Sequence, residues 1–159
     1  MSKPDHAPQQ TGDHGAEARA LLTLPRGSLG SLAERDGIEF PFVSLVLPAL
    51  SADGDIILLL SDLSDHAKNV QRCSRASLLM DGTLNLKEPL TGPRLTLLGE
   101  VKVSSDQDAD KTRYLEQHPS AAMYAGFKDF RLYRFRIAEG LFVAGFGRIF
   151  RLKPAELRG

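Results

Sequence analysis

Residues Arg94–Val103, RLTLLGEVKV, alternate so regularly that they fit a half-buried strand and little else. Leu95, Leu97, Val101 and Val103 fall on one face, and Arg94, Thr96, Glu100 and Lys102 on the other. Successive strand side chains point to opposite sides, so this pattern asks for a sheet with one face in a core and one in water. Gly99, at the midpoint, predicts a bulge or a bend at a barrel corner. Phe130–Ile137 (FRLYRFRI) alternates too, setting Tyr133, Phe135 and Ile137 against Leu132, Arg134 and Arg136. Leu141–Phe146 reads as the last strand, broken by Gly145, Gly147 and Arg148.

Upstream, Arg26–Arg35 (RGSLGSLAER) reads as a strand whose small residues let something approach the backbone closely. Glu39–Ala49 (EFPFVSLVLPA) is a strand apolar on both faces, with Phe42, Ser44 and Val46 opposed to Val43, Leu45 and Leu47. Such a strand is either central in a sandwich or covered by a partner subunit or ligand. Ser51–Asp55 is a hairpin turn centred on Asp53-Gly54. Ile56–Met80 then reads as strand, turn, helix, strand. Short helices are expected over Ala16–Leu24, Ser105–Gln117 and a turn or two of Ala121–Phe127, and Asp81–Pro93 is a loop. Met1–Gly15 is polar and proline-bearing and reads as a disordered tail, leaving 16–159 as a single domain. Several hairpin-linked strands with few helices between them give a mainly β chain, a closed or nearly closed antiparallel barrel with a few flanking helices.

The chemistry concentrates after Leu60. Ser64 is a natural N-cap, Asp65 suits the positive end of a helix, and His66, Lys68, Asn69, Arg72 and Arg75 follow within a few turns. Unpaired amides, hydroxyls and cations at a helix start are a phosphate-binding arrangement in kind. The plainer alternative is a solvated helix with Lys68 and Arg72 as an exposed i,i+4 pair. The formal charge of zero gives no overall pull toward nucleic acid or a membrane surface, so any anion site must be local. The apolar runs are too short to span a bilayer and no signal peptide is visible, so the expected location is cytoplasmic. The lone cysteine, Cys73, excludes an intramolecular disulfide, and no metal-ligand spacing is present. Glu34, Asp36 and Glu39 read as a solvated turn, and Tyr114, His118 and Tyr124 as aromatic packing on the barrel. No catalytic side chain stands out.

The stretches ARALLTLPRGSLGSL, PFVSLVLPALSADGDIILLLSDLSDHAKNV, PRLTLLGEV with RYLEQHPSAAMY, and FKDFRLYRFRIAEGLFVAGFGR resemble, in order, the FMN-binding split-barrel superfamily related to pyridoxamine 5′-phosphate oxidase. Within it they are most similar to the branch containing haem-utilisation proteins. The resemblance implies an antiparallel split barrel, homodimeric, with FMN in a groove between subunits. It further implies that Phe42, Val43 and Ser44 line the isoalloxazine ring and that Leu60 and Ser61 border the ring or ribityl chain. His66, Lys68 and Asn69 would face the phosphate, and Arg94 would reach the flavin from the partner chain. Where the family commonly has threonine and arginine, this chain has Ala67 and Lys68, which removes a hydroxyl donor and a two-pronged guanidinium. The implied function is a flavoprotein oxidoreductase acting on a small-molecule substrate or electron acceptor. The alternatives are a haem-binding or haem-degrading protein and a non-enzymatic flavin-binding module. The only histidines are His6, His14, His66 and His118, none near the C-terminus where haem-degrading members carry an iron ligand.

Overall fold

The computed structural model describes residues 13–159, so most of the expected tail lies outside the described residues. The first helix, α1 (His14–Leu21), starts earlier than its apolar pattern suggests because Asp13 caps it, accepting the Ala16 amide at 3.0 Å. The remaining elements are β1 (Gly27–Arg35), β2 (Ile38–Val46), β3 (Ala49–Leu50), β4 (Ile56–Ser61), α2 (Asp65–Arg72), β5 (Arg75–Asp81), β6 (Arg94–Val103), α3 (Gln107–Gln117), β7 (Phe130–Gly145), β8 (Arg148–Leu152) and α4 (Pro154–Arg158). Short 3-10 turns occupy Pro89–Thr91 and Pro119–Met123.

All eight strands belong to one antiparallel sheet, in the order β2-β1-β5-β6-β7-β4-β3, with β8 beside the far half of β7. The two outermost strands, β2 and β3, are consecutive in the chain and separated only by Leu47-Pro48. The sheet therefore curls until its edges are neighbours, and Pro48, lacking an N–H, sits where the ladder is interrupted. The result is the mainly β, nearly closed barrel expected from the alternation.

β4 shows why its sequence is apolar without interruption. Ile56, Leu58 and Leu60 enter the barrel interior with Leu29, Leu78, Leu95, Phe135 and Phe142. Ile57 and Leu59 point the other way, into a second cluster with Tyr114 of α3, Ala121 and Leu132. A strand buried on both faces has no polar side to show.

β7 corrects the expectation of two separate strands. It runs unbroken for 16 residues. Its buried positions change from odd (Tyr133, Phe135, Ile137) to even (Gly140, Phe142), because Ala138 is bulged out where Leu98 pairs with Glu139 and Gly99 with Ile137. The bulge predicted at Gly99 is thus present, with the extra residue on the partner strand. A second irregularity at Ala144 precedes a turn through Gly147 (φ +75°), so Gly145, Gly147 and Arg148 turn the chain back into β8 and do not end the sheet. Val103 departs from its expected inward face and is 38% exposed. β5 pairs with β6 only as far as Glu100, so the end of β6 projects past the cover.

β2 is an edge strand and not a central one. Val43 is 70% and Leu45 69% exposed, and both lie on the outward face. Its hairpin with β1 turns on Asp36 and Gly37, both at positive φ, and Glu34, Asp36 and Glu39 are exposed as expected of a solvated turn.

Candidate functional site

Where β2 and β4 end and α2 begins, the barrel carries an open groove of about 410 Å³. Leu45, Leu47, Leu60, Tyr124 and Phe130 are among the residues that line it, and Ser61, Ser64 and His66 supply polar atoms. β4 delivers Ser61 to the rim, and a tight turn then starts α2. Ser64 caps the helix in extended geometry, its Oγ accepting the Ala67 amide at 3.3 Å. The Lys68 amide bonds the Ser64 carbonyl, so the amides of Asp65 and His66 are left without intrahelical partners.

This turn is held from behind by charged and aromatic groups. Tyr133 donates to Asp62 at 2.6 Å, Arg131 Nε reaches the same carboxylate at 2.6 Å, and Gln71 donates to the Tyr133 hydroxyl at 2.8 Å. Burial alone would raise the Asp62 pKa, but the bonds from Tyr133 and Arg131 outweigh it and hold the carboxyl below its usual range. The Asp62 amide also bonds the Asp129 carbonyl at 2.7 Å.

Three details fix what the polar rim can do. Ser61 donates its only proton to the Asp129 carboxylate, at 2.5 Å. Ser64 donates its own to the Ser61 carbonyl, at 2.6 Å. His66 is half-buried, and burial pushes its pKa below the ordinary histidine value although Asp65 opposes the shift. At neutral pH the groove therefore holds a neutral imidazole and two hydroxyl oxygens whose protons are already engaged.

Of the residues singled out from the sequence, Leu60, Ser61 and His66 meet in this groove. Phe42 and Ser44 lie on the inward face of β2, and the Ser44 hydroxyl is buried without a hydrogen-bond partner among the described residues. Val43 faces outward on the same strand. Lys68 is exposed and makes no ion pair among the described residues. Asn69 is buried and donates to Ser31 at 3.1 Å, tying α2 to β1. Arg94 bonds the carbonyls of Leu90 and Gly92 at 2.9 and 3.3 Å, away from the groove lining. The sequence reading missed Phe130 as groove lining and Asp129 as the partner of Ser61; Leu45 and Leu47 it placed on a strand that is either central or covered by a partner subunit or ligand. Tyr124 it assigned to packing. Among the described residues there is no group of metal-ligating side chains and no helix long and apolar enough to cross a membrane.

A family model described as the CREG β-barrel matches residues 9–156. The chain belongs to the CREG β-barrel family. Over 113 residues, 70% of its length, this CREG-type chain is 34% identical to the non-canonical heme oxygenase HOZ, chloroplastic, of Arabidopsis thaliana, of which it spans only 34%. It superposes on a heme binding protein from Mycobacterium smegmatis with a TM-score of 0.80 at 23% identity, covering 96% of this chain and 62% of that one. It also matches a Clostridium acetobutylicum protein related to general stress protein 26, of the pyridoxinephosphate oxidase family, with a TM-score of 0.67 at 15% identity over 90% and 96% of the two chains. The split-barrel superfamily inferred from the sequence, with haem-utilisation proteins in its neighbourhood, is therefore the correct one.

Proposed function

We propose that this chain binds haem in the groove at the start of α2, in a site completed by a second copy of the chain. The observation that carries the reading is His66, a neutral half-buried imidazole that shares with Ser61 and Ser64 the polar rim of a groove lined elsewhere by aliphatic and aromatic side chains. A neutral imidazole is an iron ligand, and a porphyrin presents the wide apolar ring such walls accommodate. The relative named as a heme oxygenase and the neighbour named as a heme binding protein support it. Haem would supply iron redox chemistry when bound, while this chain's residues hold the ring and exclude water. The second copy is argued from β2, where outward Leu45 lines the groove and, with Val43, leaves an apolar edge uncovered.

FMN is the second reading, favoured by the free amides of Asp65 and His66 and the unpaired Lys68 ammonium. With FMN bound, the chain would be a flavoprotein, and an oxidoreductase if a small substrate or electron acceptor reaches the ring. The donor set fits its phosphate poorly. Ser61 and Ser64 have no proton to give, His66 carries no charge, and Asp65 and Asp129 place carboxylates close by.

Hemin titrated into the purified chain, followed by difference absorbance, tests the reading. Saturable binding with a shifted Soret band is expected, weakened about tenfold or more by His66→Ala, the scale of about 1.4 kcal/mol. No saturable binding, or equally tight binding by a folded His66→Ala variant, would refute it. Loss of the Soret band with ascorbate in air would extend the function to haem degradation.

A further inference from the structure

Ser61 lines the groove, but its chemistry is set by a residue outside the groove lining. A serine hydroxyl has one proton and two lone pairs. A carboxylate cannot donate, so the 2.5 Å contact between Ser61 Oγ and Asp129 has only one direction: the serine proton points at Asp129. The oxygen also accepts the Leu63 amide at 3.2 Å. Ser64 is committed in the same way, donating to the Ser61 carbonyl and accepting from Ala67. A ligand group arriving here meets acceptor oxygens backed by a negative charge. A ligand hydroxyl or N–H is accommodated, and a phosphate or carboxylate is turned away.

We infer that Asp129 is a specificity-determining residue that, by holding the Ser61 proton, disfavours an anionic ligand group at the start of α2. The inference rests on the reading that the groove takes a planar cofactor, and it implies that the start of α2 faces the ring of that cofactor and not an anionic group, whether a flavin phosphate or a haem propionate. Asp129 acts through Ser61, and its own main-chain bond to the Asp62 amide does not depend on its side chain. With the carboxylate removed, the Ser61 hydroxyl is free to turn outward. It would then join the Asp65 and His66 amides as a third phosphate donor, at the positive end of the helix.

FMN and riboflavin differ only in the phosphate, so the ratio of their dissociation constants, measured by flavin fluorescence quenching, isolates the effect from any general loosening of the turn. The wild-type chain should bind FMN no more tightly than riboflavin. Asp129→Ala should shift the ratio toward FMN by about tenfold. Asp129→Asn, which keeps an acceptor for the Ser61 proton but loses the charge, should fall between. Adding Ser61→Ala to Asp129→Ala should reduce the gain, since the freed donor is then gone. A ratio within about twofold of wild type in Asp129→Ala, a wild-type chain that already prefers FMN more than about tenfold, or no flavin binding by any variant overturns the inference. Hemin titrated in parallel keeps the two claims apart. Failure to bind hemin, with FMN binding gained by Asp129→Ala, would sink the haem reading and leave this one standing.

Discussion

Gly99→Ala should be among the most damaging single methyl additions in this protein. On the present backbone the new Cβ would overlap the Arg136 carbonyl oxygen and lie 2.7 Å from Phe135 Cε1 and 3.0 Å from the Arg136 carbonyl carbon. Ordinary carbon contacts sit at about 3.5–4.0 Å, so the β6–β7 pair must open by roughly 1 Å. The obstacle cannot swing aside, because Arg136 is in the β7 backbone and pairs with Glu100 in the ladder. Overpacking of this kind costs about 1–3 kcal/mol, and stretching one or two ladder hydrogen bonds adds about 1 kcal/mol each. The sum, about 2–5 kcal/mol, is a large fraction of the 5–15 kcal/mol or so available to a typical domain. With a urea m-value of about 2 kcal/mol/M, the midpoint should fall by roughly 1–2.5 M at unchanged m.

Gly30→Ala is the matched control. There the new Cβ would also overlap an oxygen, but the Ser77 hydroxyl, which can rotate away. Its cost should stay within about 1 kcal/mol, since alanine also restricts the unfolded chain. Urea unfolding followed by far-UV circular dichroism measures both. Equal losses in the two variants, or a Gly99→Ala midpoint within about 0.5 M of wild type, would refute the claim that a fixed backbone oxygen at the β6–β7 bulge decides the outcome.

Other consequences follow from charge. Asp110 is buried, and burial alone would raise its pKa; Arg134, bound at 2.6 Å through two nitrogens, and Ser104, at 2.5 Å, hold it below the usual range. A carboxyl lowered in the folded state gives stability that is complete above its unfolded value of about 3.9 and is lost as pH falls through the folded value. Asp110→Asn should therefore cost about 2–3 kcal/mol at neutral pH, less than a fully buried pair because Arg134 keeps some exposure and its Asp53 partner. The difference from wild type should shrink below about pH 4 in urea melts read across pH. For His66 the sign reverses. With its pKa lowered by burial, hemin affinity should stay flat as pH drops through about 6.5 and weaken only below it, measured as dissociation constant against pH. Val43→Lys with Leu45→Lys should convert any assembly seen in sedimentation to single chains and weaken hemin binding. Unchanged mass and affinity would remove the second copy from the proposed site.

What could be read from the sequence was whatever neighbours in the chain decide. The N-cap at Ser64, the Asp53-Gly54 turn, the alternation of β6 and its bulge at Gly99 all depend on residues a few positions apart. β7 looked like two strands because Ala138 shifts the inward parity by one, and no local rule separates a bulge from a break. β8 escaped because RIFRL does not alternate; its place is set by pairing with Gly140–Gly145 of β7. The surroundings of the site are set at longer range. The count of cations after Leu60 treated all charge as available. In the structure Arg72 bonds Glu39 and the Leu32 carbonyl, and Asn69 bonds Ser31. Arg94 is tied to carbonyls of its own loop, and His66 is neutral. Lys68 and Arg75 are exposed and make no ion pair among the described residues. The distinction between charge present and charge free to meet a ligand is a tertiary fact, because a hydrogen-bond partner such as Asp129 is chosen by the sheet and not by the neighbouring sequence.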